Sequence, residues 1–229
     1  MGAVAEPSCQ PEAKFTLDAA LAIAGSGSYL LAARNLVIEG VDDYWILSEL
    51  SNLFLRSGLE GLPEDVLPTP AADAAQAGYI ATLMVGRNLD VVVLLTSHGG
   101  DGVSGWVSRY NTTVAAEVLS LDSGMEELFP EDFYLEITRR IYKKQMASAN
   151  LKKLDVRGNG RLSRRIGRAM AENGIQFNSA LVTTALRSIL TRMKSVDELP
   201  PETRVKAEKV LKSVTQALSK EKHFWTQPV

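Results

Sequence analysis

The chain of 229 residues is 45% hydrophobic and 23% charged, enough to bury one large core or two small ones, which excludes a disordered tail. Its single cysteine, Cys9, excludes an internal disulfide and any cysteine-rich zinc site. The net charge of −2 conceals a split: five Lys/Arg stand against nineteen Asp/Glu through residue 135, and twenty against eight from residue 136 on, giving −14 and +12.

The first residues, MGAVAEPSCQPEAK, show neither a basic segment nor an apolar one of the secretory kind, and Glu6 breaks the myristoylation pattern after Gly2. The expected location is cytoplasmic. Thr16 to Ala24 is expected to be helical with Thr16 as its cap, and Gly25-Ser26-Gly27-Ser28 breaks it. A second helix is expected from Asp42, capped by Asp42 or Asp43. It carries Ile46, Leu47, Leu50, Leu53 and Phe54 on one face and stops at Gly58. Pro63, Pro68 and Pro70 mark 61–70 as a connecting loop.

Ala71 to Val85 is alanine-rich and predicts a helix. The run Leu89-Asp90-Val91-Val92-Val93-Leu94-Leu95 suits a buried strand and a buried helix equally, because a short apolar run has no period to separate them, and Thr112 to Leu121 shares the ambiguity. Arg87, Asn88 and Asp90 interrupt the longest apolar stretch, so no membrane span is expected. The chain divides near Ser123 to Pro130, into an acidic helical domain over 1–128 and a basic helical domain over 129–229.

In the second part, one helix is predicted from Pro130 or Glu131 to Met146, opening on acids and closing on bases as the helix dipole prefers. Arg157-Gly158-Asn159-Gly160 must turn, and Arg161 to Asn173 makes the next helix, ended by Gly174. Asn178 caps a third, with Val182, Ala185, Leu186, Ile189, Leu190 and Met193 as its apolar stripe. Pro200-Pro201 opens a fourth whose inner face is Ala207, Val210, Leu211, Val214 and Leu218. The expected fold is all-α, bundle-like and in two lobes, with room for one or two short strands near 89–96 and 112–121.

The strongest chemical signal lies between residues 139 and 168. Eleven cationic side chains, Arg139, Arg140, Lys143, Lys144, Lys152, Lys153, Arg157, Arg161, Arg164, Arg165 and Arg168, face one acid, Asp155. Like charges four apart on a helix (Arg139 with Lys143, Arg140 with Lys144) repel unless an anion answers them. The glycines of the 157–161 turn and the helix end after it suit phosphate. They lack the lysine and hydroxyl of a nucleotide-triphosphate loop. Contact by Arg and Lys points to the phosphate backbone of RNA or DNA rather than to base reading. Tyr134 and Tyr142 fit either base stacking or plain packing. The plainer alternative is that acids of the first part, in the same or a neighbouring subunit, answer the cluster.

Other motifs carry less. The helices 161–173 and 179–193 are adjacent, but the recognition helix there, Ser179 to Leu190, would offer only Arg187 to read bases. Val91-Val92-Val93-Leu94-Leu95-Thr96-Ser97-His98-Gly99-Gly100 resembles, over those ten residues, the histidine motif of caspase-like cysteine peptidases, a hydrophobic strand ending in His-Gly. That resemblance implies a second strand downstream ending in a nucleophilic cysteine, and the sole cysteine, Cys9, lies well upstream. His98 and His223 are the only histidines, so no metal site and no cofactor are expected. Glu126, Glu127, Glu131 and Asp132 read as solvated helix-start acids. Phe224 and Trp225 are expected to dock on the fold or on a neighbouring subunit. The expectation is a non-enzymatic nucleic-acid-binding protein that packages or coats RNA or DNA as an oligomer. The alternative is a helical adaptor or assembly protein whose basic lobe binds an acidic protein partner.

Overall fold

A computed structural model describes residues 34–85, 89–96, 117–121 and 123–219. Four short strands form one parallel sheet: β1 (Arg34–Ile38), β2 (Val66–Pro70), β3 (Asp90–Leu95) and β4 (Glu117–Ser120), in the spatial order β2-β1-β3-β4. Leu36 stands beside Pro68 on one side and Val92 on the other, and Val93 beside Val118. The helices are α1 (Val41–Arg56), α2 (Ala74–Val85), α3 (Glu131–Ile141), α4 (Lys143–Ser148), α5 (Leu162–Ala171), α6 (Ser179–Arg192) and α7 (Pro201–Ser219), with 3-10 turns at Met125–Leu128 and Val196–Glu198.

The parallel sheet overturns the all-α expectation, and the physical reason lies in its burial. Parallel strands joined by crossover helices are covered on both faces, so they read as unbroken apolar runs without alternation. Leu36, Ile38, Val92 and Leu94 face a core shared with Ile46, Leu47 and Leu50 of α1. Val37, Val91, Val93 and Leu95 face the other way, against Ala77, Ile80, Ala81 and Met84 of α2. Opposite faces for successive crossover helices follow from right-handed connections that run first to one side of β1 and then to the other.

The expected loop over 61–70 holds β2. Its prolines fit because β2 is, among the described residues, an edge strand. The Ala71 N–H donates to the Ile38 carbonyl at 2.7 Å. Alternation then turns the backbone nitrogens of Pro68 and Pro70 away from β1, so neither costs a ladder bond. In the ambiguous 112–121 segment, 117–120 is strand; 112–116 lies outside the described residues, as do the expected helix 16–24, the break 25–28, Cys9, Phe224 and Trp225.

Past β4 the helical expectations hold closely. Asn178 caps α6 by accepting from the Ala180 N–H at 3.0 Å. Gly174 has φ +71°, the left-handed conformation that ends the preceding turn. The expected helix to Met146 is two, α3 and α4, parted at Tyr142. The Tyr142 hydroxyl accepts from the Asn178 N–H at 2.8 Å, and its ring lies 5.7 Å from that of Phe177. The stripes of α5, α6 and α7 join the α1 face of the sheet in one continuous core from Leu36 to Leu218. Leu128 and Phe129, at the expected domain boundary, are both inside it. No helix among the described residues is long and apolar enough to cross a membrane.

Candidate functional site

In an open parallel sheet the chain leaves neighbouring strands in opposite directions at one point, and the carboxyl ends there frame a crevice. Here that point lies between β1, which leads toward β2, and β3, which leads toward β4. Glu39 follows β1 and Thr96 follows β3, and the Thr96 N–H donates to Glu39 Oε2 at 2.8 Å.

Asp42 or Asp43, both in the first turn of α1, is the expected cap of that helix. Gly40 holds the cap position and makes no side-chain bond there. The Asp43 carboxylate turns inward instead. It accepts the Thr96 hydroxyl at 2.6 Å, the Met125 N–H at 3.3 Å and the Arg161 guanidinium at 3.0 Å. Arg161 also reaches Glu126 at 3.5 Å. Side-chain exposure is 3% for Asp43, 7% for Glu126 and 18% for Arg161, so these are buried charges. Glu126 was expected to be a solvated acid; its second oxygen accepts the Ser163 hydroxyl at 2.7 Å and N–H at 3.3 Å. Glu127 takes the Leu162 N–H at 3.1 Å. The helix end that was expected to welcome phosphate after the glycine turn is therefore filled by two carboxylates of the same chain.

Burial raises the Asp43 pKa above the ordinary carboxylate value, against the pull of Arg161 and Thr96, and neighbouring Glu126 adds to the rise. For Arg161, burial works against the charge and is outweighed by Glu126 and Asp43, so its pKa is raised and it stays a cation. The Arg161 Nε is buried without an acceptor among the described residues. It packs against Gly124, where any Cβ would collide with Nε and with the Glu126 carboxylate.

Beside this network lies a cavity of about 370 Å³ lined by Gly40, Val41, Asp42, Asp43, Ile46 and Ala72 on one side. Glu126, Tyr134, Arg161, Ser163, Ser179 and Thr183 close the other. The Ser179 hydroxyl donates to Asp42 at 2.9 Å. Tyr134 is hydrogen-bonded with Thr183, and burial with nearby Glu126 and Asp42 raises its pKa, so its phenol stays neutral. Sequence reasoning missed Asp43, Glu126, Thr96 and Tyr134 as members of one site; the aspartate beside Gly40 directly after an apolar run was the available signal.

The eleven expected polyanion contacts separate into two groups. Arg161 is turned inward, Arg165 pairs with Glu131 at 2.9 Å, Arg157 with Asp155 at 2.7 Å and Arg140 with Glu136 at 3.2 Å. Arg139, Lys143, Lys144, Lys152, Lys153, Arg164 and Arg168 make no ion pair among the described residues, and all but the half-buried Arg139 are exposed. Tyr134 and Tyr142 are buried and pack rather than stack outward. Arg187 bonds Glu49 at 2.9 Å and lies 3.7 Å over the Trp45 ring, so it does not serve as a base reader.

No group of three or more His, Cys, Asp or Glu among the described residues is placed to hold a metal ion. Residues 97–100, with His98 of the caspase-like motif, lie outside the described ones. The chain matches no protein-family model, no curated protein and no solved structure.

Proposed function

We propose that this protein is a binding protein whose small polar ligand enters the cavity beyond the carboxyl ends of β1 and β2. The observation that carries the reading is a cavity of about 370 Å³ lined by Gly40 and Ala72, just past the carboxyl ends of β1 and β2, and by Asp43, which bonds Thr96 at the neighbouring point where the strand order reverses. Ligand sites of open parallel sheets are found outside the carboxyl ends of the strands, and this volume is within the usual range for a small molecule. Val41, Ile46, Ala72 and the Tyr134 ring supply apolar wall, while carboxylates, hydroxyls and one guanidinium supply orientation. The wall's polar side chains hold one another (Asp42 with Ser179, Glu126 with Ser163, Tyr134 with Thr183), which suits a preorganised binding surface better than bond-making chemistry. A cytoplasmic location fits a chain with one cysteine.

Thermal shift against a panel of small metabolites tests the reading. A ligand at a hundred times its Kd stabilises by about 2.7 kcal/mol, which is roughly 5–11 °C in Tm for a protein of this size. Ala72 is exposed at the cavity wall, so Ala72→Trp covers the mouth without disturbing the core. The expected result is a shift in the wild type that A72W loses. A panel without any A72W-sensitive shift refutes the proposal.

A second reading rests on the seven cations that find no carboxylate partner among the described residues, Arg139, Lys143, Lys144, Lys152, Lys153, Arg164 and Arg168. On this reading the protein binds the phosphate backbone of RNA or DNA, as an oligomer. Fluorescence anisotropy with labelled RNA and duplex DNA over a salt series is the test. Neutralising about six phosphates gives a slope of log K against log salt near −5 on duplex DNA. Reversal of Lys143, Lys144, Arg164 and Arg168 to Glu is expected to abolish binding. Absence of binding at low salt ends this reading and leaves the basic surface to an acidic protein partner.

A further inference from the structure

The cavity wall is electrically lopsided. Asp42, Asp43 and Glu126 line it against a single cation, Arg161. The end of α1 also faces the cavity through Gly40 and Val41, and a helix N-terminus is worth about half a positive charge. Three carboxylates outweigh one guanidinium and that half charge. Burial and Glu126 raise Asp43, while Arg161 and Thr96 both favour its ionised form, and Arg161 divides its guanidinium between Asp43 and Glu126.

The carboxylates also differ in what they have left to give. Asp43 accepts from three groups, and Glu126 from Ser163 and Arg161. Asp42 is half-exposed and uses Oδ2 on the Ser179 hydroxyl, while no bond among the described residues reaches its Oδ1. An acceptor with spare capacity thus stands at the outer wall of a cavity whose deeper end is already negative. Apolar groups (Val41, Ile46, Ala72 and the Tyr134 ring) would flank the stem of an incoming chain, as they flank the methylenes of lysine or arginine side chains elsewhere.

We infer that the cavity receives a cationic group, an ammonium or guanidinium on a short apolar stem, with Asp42 as its direct partner and Asp43 and Glu126 as the field behind it. The inference rests on the reading of the cavity as a ligand site, and goes beyond it by fixing the charge of the ligand. Its source is either a free amine or guanidine metabolite or a basic side chain, since both present the same chemistry.

Four probes of similar size separate the possibilities: agmatine, butylamine, butanol and butanoate, titrated calorimetrically at constant ionic strength. Wild type, Asp42→Asn, Ser179→Ala and Ala72→Trp are compared, each checked for folding by its melting curve. Agmatine and butylamine are expected to bind at least about tenfold tighter than butanol, and butanoate most weakly. Asp42→Asn should weaken the cationic probes several-fold, whereas Ser179→Ala, which releases Asp42 without removing its charge, should retain them. Ala72→Trp should abolish binding of all. Butanol or butanoate binding as tightly as the amines, and still lost in A72W, overturns the cationic assignment while leaving the cavity as a ligand site. Absence of A72W-sensitive binding for every probe overturns both.

Discussion

Replacing Arg161 by methionine isolates the energetics of the buried network. The side chain keeps its length and loses its charge, leaving Asp43 and Glu126, at 3% and 7% exposure, without their shared cation. Removing one partner of a buried ion pair costs about 3–5 kcal/mol, because the remaining charge stays desolvated. At roughly 2–4 °C per kcal/mol for a chain of this size, the fall in Tm is about 6–20 °C. The loss should depend on pH, with a sign fixed by Asp43. Its folded pKa is raised by burial, so the stability linked to its proton is complete below the unfolded value of about 4 and is lost as pH rises through the folded value. Without Arg161, which pulls that folded value down, the loss extends to higher pH. The deficit of Arg161→Met against wild type is therefore largest near pH 8 and shrinks toward about pH 5. The double variant Asp43→Asn with Arg161→Met should recover part of the stability, since removing a whole buried pair costs less than breaking it. Calorimetric melts across that range are the assay. A single variant melting within about 2 °C of wild type, or a deficit independent of pH, refutes the account of Arg161 as the cation that favours the ionised form of buried Asp43.

Three further substitutions have direct readings. Gly124→Ala drives a methyl into Glu126 and Arg161, and should destabilise by about 1–3 kcal/mol, measured by urea denaturation; an unchanged midpoint would mean the network yields at no cost. Asn178→Ala removes the α6 cap and should cost about 1 kcal/mol, with Asn178→Ser restoring most of it. Arg187→Ala loses both the Glu49 bond and the Trp45 contact; with the guanidinium partly exposed, the expected cost is only about 1 kcal/mol, and quenching or a shift of tryptophan fluorescence should accompany it.

The helices after residue 130 were legible because each has one dry face, so its apolar residues recur at three and four, and glycine, proline or asparagine marks its ends. β3 was undecidable for the opposite reason. Val91, Val92 and Val93 are all buried, on alternate faces of a sheet covered on both sides, and burial on both faces erases the period. β2 hid behind its prolines, which only an edge position excuses. The site was harder still. Asp43 and Glu126 have the letters of ordinary helix-start acids, and what separates them from solvated ones is a neighbour more than a hundred, or thirty-five, residues away in Arg161. The charge asymmetry between the two parts of the chain is real, and part of it is spent internally. Asp43 with Arg161, Glu131 with Arg165 and Glu49 with Arg187 each join an acid of the first part to a base of the second.

Pro68 and Pro70 have a bearing beyond the strand that contains them. On the rim of β2 facing away from β1, those two positions would each present a backbone donor to any extended peptide arriving from outside, and the pyrrolidine rings leave none. An approaching strand would find acceptors there without matching donors, so the sheet resists lengthening by self-association along that rim. Pairing through this margin is disfavoured by the same two residues that disguise it as a loop.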